Sequence, residues 1–84
     1  MAKMRESSEV AAMVRRMFTA LARRSADGDL EALVELDRLR EPLAVATQAA
    51  ADGALDREYT FGDIARAMGV SRQAVQKRFG KAVS

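Results

Sequence analysis

Apolar residues spaced three and four apart, in a chain with a single proline, confine this polypeptide to helices. From Ser8 to about Arg24, the residues Val10, Met13, Val14, Met17, Phe18 and Leu21 follow the i, i+3, i+4, i+7 rule and make one stripe. Ser7 or Ser8 suits the N-cap and Glu9 the first turn, while Arg23 and Arg24 suit the last turn, where cations meet the negative end of the helix dipole. Ser25-Ala26-Asp27-Gly28 reads as the break. β-branched residues are scattered rather than alternating, and Ala, Leu, Arg, Glu and Met dominate, so the expected class is all-α.

A second helical segment is predicted to begin near Asp29, a candidate N-cap. Leu30, Leu33 and Val34 form one patch. Leu36, Leu39, Leu43, Ala46 and Ala50 then step by three and four like a short heptad seam. Pro42 falls inside this run, where it removes a backbone donor and crowds the carbonyl of Arg38. The run reads either as broken near Arg40-Glu41 or as one long kinked helix. The lack of Gly, Asn or Ser between Leu30 and Pro42 favours the kink. Gly53 suits a C-terminal cap, with Ala54 to Tyr59 as a connector.

Composition narrows the chemistry. The sequence has 84 residues, with no cysteine and no histidine. Disulfide scaffolds, Cys/His metal sites, thiol nucleophiles and histidine acid–base catalysis are therefore excluded. So short a chain has little room to build a cleft around a carboxylate pair. The expectation is a non-enzyme that needs no cofactor, metal or small-molecule ligand. Neither a membrane-spanning run nor the apolar stretch of a signal peptide is seen, so a cytoplasmic location is expected. Eleven arginines against three lysines fit a GC-rich bacterial genome.

The net charge of +2 hides a strong asymmetry. Residues 1–24 carry six bases and two acids, residues 25–63 three bases and ten acids, and residues 64–84 five bases and no acid. An acid-free basic end beside an acidic middle fits a chain of which one part meets a polyanion.

That basic end contains the most informative stretch, YTFGDIARAMGVSRQAVQKRFGK from Tyr59 to Lys81. Thr60 and Asp63 have capping-box spacing, and Tyr59 and Ile64 stand at staple positions around them. Ser71 caps a second helix, with Val70 and Val75 in the same staple relation. Gly69 lies between, where the chain must turn sharply. Ile64, Ala65, Met68, Val70, Val75 and Phe79 are expected to face one small core. The pattern is helix, three-residue turn, helix.

IARAMGVSRQAVQKRF resembles the helix-turn-helix segment of bacterial DNA-binding regulators and of the C-terminal region of sigma factors. Ala65, Gly69, Val70 and Val75 carry the match, which covers about 20 residues, a quarter of the chain. Arg78 departs from it, standing where an apolar residue is common. The resemblance implies a trihelical helix-turn-helix DNA-binding unit, residues 42–84, which leaves residues 1–41 as an N-terminal helical region, expected to serve dimerisation, within one compact domain. It implies a recognition helix over 71–81, with Ser71, Arg72, Gln73, Gln76 and Lys77 touching DNA. Arginine suits guanine and glutamine suits adenine in the major groove. Arg66, Arg78 and Lys81 add phosphate attraction, and Thr60 and Tyr59 stand near the flanking backbone.

The stripe of segment one needs a partner surface. Leu30, Leu33 and Leu36 offer one within the chain, but a lone helical hairpin buries little. A homodimer through Val10, Met13, Val14, Met17, Phe18, Leu21, Leu33 and Leu36 is therefore expected, presenting two recognition helices to a palindrome. Arg15 and Arg16 are expected to pair with the acidic Asp29–Glu41 stretch, within or between chains. The leading reading is a homodimeric transcriptional regulator of the nucleoid. Two others stand beside it: an architectural or recombination-accessory DNA binder, and a protein-interaction module docking a larger partner such as RNA polymerase.

Overall fold

The computed structural model describes residues 6–80, and among them all regular structure is helical. The five helices are α1 (Ser7–Ala26), α2 (Leu30–Arg38), α3 (Arg40–Asp56), α4 (Phe61–Met68) and α5 (Arg72–Phe79). No helix among the described residues is long and apolar enough to cross a membrane. The chain divides into two compact units rather than one, Met1–Arg40 and Glu41–Ser84.

The first unit is the hairpin of α1 and α2. Glu6, not Ser7 or Ser8, is the N-cap of α1, and its side chain makes no capping bond. Its backbone carbonyl accepts from the N–H groups of Glu9 and Val10 instead. The far end of α1 closes in a Schellman pattern. The Asp29 N–H donates to the Arg24 carbonyl and the Gly28 N–H to that of Ser25. Asp29 stands at the N-cap of α2, again without a side-chain bond.

The hairpin buries only Ala32 fully. Met13, Phe18, Leu21 and Leu36 are half-buried. Val10, Val14, Met17 and Leu33 are exposed, as are Leu30 and Val34. The eight residues expected to dimerise thus split evenly between half-buried and exposed.

The expected kinked helix through Pro42 is two helices, parted by Leu39 alone. Pro42 has no N–H to give to the Arg38 carbonyl, and the last α2 bond at this end is that of the Leu39 N–H to the Glu35 carbonyl. Leu39 keeps right-handed helical dihedrals, and its N–H is shared by the carbonyls of Glu35 and Leu36. Pro42 then falls in the first turn of α3, where a missing donor costs nothing. The heptad seam is lost at this break, since Leu39, Leu43, Ala46 and Ala50 are all exposed.

Gly53 does not end α3, which runs on to Asp56. The cap falls at Glu58, in left-handed backbone with φ 72°. Tyr59 N–H donates to the Ala54 carbonyl and Glu58 N–H to that of Leu55, a second Schellman closure. Half-buried Ala54 and Leu55 carry the helix past the glycine.

The second unit is built on α3, α4 and α5. Ala51, Ala65, Val75 and Phe79 form its buried cluster, with Phe61 and Ile64 packed against it. Met68 and Val70, expected in this core, are exposed. Met68 is the last residue of α4, and Val70 lies in the turn beyond it. Ala51 and Phe61 stand in the cluster instead.

Candidate nucleic-acid interface

Local chemistry sets both ends of α4. The Thr60 hydroxyl accepts from the Asp63 N–H at 3.0 Å, and the Asp63 carboxylate accepts from the Thr60 N–H at 2.9 Å. This is a complete capping box, even with the shorter Asp in place of Glu. The Asp63 carboxyl is held below its ordinary range. Hydrogen bonds from the Thr60 N–H and then its hydroxyl outweigh the effect of burial, and Arg66 adds attraction.

At the other end Gly69 takes left-handed dihedrals, φ 71° and ψ 31°. A side chain there would clash with its own backbone, whereas glycine turns without strain. The N–H groups of Gly69 and Val70 both reach the Ala65 carbonyl. One residue later Ser71 caps α5, its hydroxyl accepting from the Ala74 N–H at 3.0 Å.

Burial fixes how α5 is turned. Val75 is 1% exposed and Phe79 5%. Gln48 on α3 donates to the Phe79 carbonyl at 3.0 Å and to Asp52 Oδ1 at 3.1 Å. Sequence reasoning did not find Gln48. The four-residue spacing of Gln48 and Asp52 signals their mutual bond, but nothing signals the reach to Phe79.

With Val75 and Phe79 turned inward, helical geometry sorts the other side chains around α5. Gln73 and Lys77, four apart, stand opposite the buried pair. Arg72 and Gln76, also four apart, line one edge.

The nine residues expected at a DNA surface sort by what they touch. Thr60 and Ser71 are exposed and spend their hydroxyls as caps. Arg66 is exposed and ion-paired to Asp63. Arg78 holds its guanidinium 4.8 Å from the Phe79 ring centroid, a cation–π contact. Arg72, Gln73, Gln76 and Lys77 are exposed, and none makes a side-chain hydrogen bond or ion pair among the described residues. Lys81 lies outside the described residues.

Arg72 and Lys77 therefore present free positive charge, and the two glutamines present unengaged amides, on a helix of eight residues, about 12 Å long. No protein-family model matches the chain, and no curated protein or solved structure matches it either.

Proposed function

We propose that the protein binds double-stranded DNA in a sequence-specific manner, using α4 and α5 as a helix-turn-helix with α5 in the major groove, and that it regulates transcription as a homodimer in the bacterial nucleoid. The observation that carries this reading is the exposed surface of α5. Gln73 and Lys77 on its outer face and Arg72 and Gln76 along one edge stand exposed and unpaired among the described residues, in a stretch that has no Asp or Glu after Asp63.

The chemistry matches the target. The major groove is about 12 Å wide and admits a helix. Arg72 suits the O6/N7 edge of guanine, and Gln73 or Gln76 the N6/N7 edge of adenine. Lys77, a compact point charge, suits a phosphate. Ser71 and the N-terminus of α5 bring backbone N–H groups toward another. Arg66 and Arg78, each with an intramolecular partner, contribute field rather than base contacts. The mechanism needs no cofactor and no bond-making step.

The test is selection of bound duplexes from a random pool, followed by titration of the recovered site. Arg72→Ala and Gln73→Ala are each expected to cost about 1–3 kcal/mol on that site and to relax base preference at one position. Lys77→Ala should weaken all duplexes alike and reduce the salt slope by about one. Unchanged affinity in Arg72→Ala, Gln73→Ala and Gln76→Ala alike would show that another face reads the DNA. Recovery of no preferred sequence at low salt would remove the function.

A further inference from the structure

The α1–α2 hairpin is sorted by charge as well as by polarity. α1 carries four arginines, Arg15, Arg16, Arg23 and Arg24, against one glutamate. The stretch from Asp27 to Asp37 carries five carboxylates and no cation. Two oppositely charged antiparallel helices could neutralise one another, yet this hairpin does not. Among the described residues none of the four α1 arginines makes an ion pair. Glu35 and Asp37 reach only Arg38 and Arg40, at 3.8 Å each, at the far end of their own segment.

The apolar surface is equally unmatched. α1 has 20 residues and α2 has nine, so at 1.5 Å per residue α1 is about 30 Å long and α2 about 13 Å. Most of the N-terminal half of α1 has no α2 beside it. Val10 and Val14 lie exposed there and Met17 just beyond it, and Leu30, Leu33 and Val34 lie exposed on α2.

We infer that this face is covered by the same face of a second copy, arranged two-fold so that the basic α1 of each copy lies along the acidic α2 of the other. Charge complementarity selects this occupant and this arrangement. Pairing α1 with the partner's α1 would set arginine against arginine. Pairing α1 with the partner's α2 supplies each arginine row with the carboxylates it lacks within its own hairpin, twice over by symmetry. Arg16 and Arg23, seven apart, flank one edge of the α1 stripe, and Glu31 and Glu35, four apart, flank the α2 patch. These are the positions from which charges choose a partner in helical bundles. The inference rests on the homodimer proposed above and not on DNA binding.

The experiment uses the full chain, with light scattering and sedimentation at low salt. One variant carries Arg16→Glu and Arg23→Glu, and the other Glu31→Lys and Glu35→Lys. Each alone is expected to dimerise about tenfold or more weakly than the wild type while keeping its helical circular dichroism. Mixed in equal amounts, the two should form a heterodimer at wild-type strength, because each interface again joins opposite charges. A variant that misfolds cannot produce that recovery. A mixture that stays monomeric overturns the arrangement, as does an α2 variant that dimerises normally, the result expected if α1 met α1. A wild type that is monomeric throughout overturns the dimer itself. The duplex selection reports on DNA binding separately.

Discussion

Glu58 holds left-handed backbone, φ 72°, at the C-terminal closure of α3. For a residue with a side chain this conformation costs roughly 1–2 kcal/mol, and glycine escapes most of it. Glu58→Gly is therefore expected to raise stability by about 1 kcal/mol, part of the gain being returned to the more flexible unfolded chain. A higher urea midpoint at unchanged slope is the reading that supports this; an unchanged or lower midpoint counts against it. The closure also shows where sequence was misleading. Gly53 is the glycine a reader would choose as the cap, but local preference lost to the half-buried Ala54 and Leu55 beyond it. Asp63 gives a second test at this scale. Its carboxyl is lowered from the ordinary 3.8 by the Thr60 hydrogen bonds first and Arg66 after them. The folded value lies below the unfolded one, so the stabilisation is complete above about pH 4 and fades as pH falls through the lowered folded value. A carbon-detected titration of Asp63 should give a midpoint below the ordinary value, with Thr60 amide protection lost over the same range. A midpoint at or above 3.8 would show that the capping box does not persist in solution.

Among the helices, α5 depends most on one contact. Phe79 is buried, its carbonyl is held by Gln48, and its ring lies beneath the Arg78 guanidinium. Phe79→Ala is expected to cost about 3–5 kcal/mol. A domain's whole stability is about 5–15 kcal/mol. Amide exchange should therefore accelerate sharply along α4 and α5, and affinity for the selected duplex should fall even though no outward residue has changed. Normal exchange protection in that variant would mean the cluster does not hold α5. The caps at Thr60 and Ser71, the turn at Gly69 and the inward Val75 and Phe79 were all legible in the sequence, because each is written in residues within one or two turns of one another. The misplacement of Met68 and Val70 has a different origin. Staple spacing says which residues could face inward, not which helix supplies the floor. Here α3 does so through Ala51, and Phe61 at the start of α4 packs against the cluster. The break at Leu39 was half legible: Pro42 announced the lost bond, but the cut falls beside its missing acceptor, Arg38, rather than at the proline.

Across the whole molecule, burial is scarce. Among the described residues five are buried, three of them alanines, while twelve large apolar residues stay exposed, seven of these between Val10 and Leu39. Exposed apolar residues scattered singly are ordinary, and six of these seven stand on α1 and α2, the two helices of the proposed dimer contact. Leu33 separates the proposed interface from the fold. It is 51% exposed, so Leu33→Asp should leave the stability of an isolated chain within about 0.5 kcal/mol, as surface changes do. Phe18→Asp would be a poorer probe, because Phe18 is half-buried and its loss damages the hairpin as well. In a dimer, Leu33→Asp places two carboxylates in the apolar contact, and the chains should come apart. On the proposed DNA-binding reading, the consequence reaches DNA through geometry. Two linked reading helices engage successive major grooves about 34 Å apart, and the second binding step is then intramolecular. Such linkage raises affinity by roughly 10²–10⁴ with no new contact to DNA. Leu33→Asp should forfeit that factor on a two-fold site, yet bind a single half-site as well as the wild-type monomer does. Equal loss on half-site and full site would place Leu33 at the DNA or in the fold. Undiminished affinity on the full site would mean that each chain binds alone.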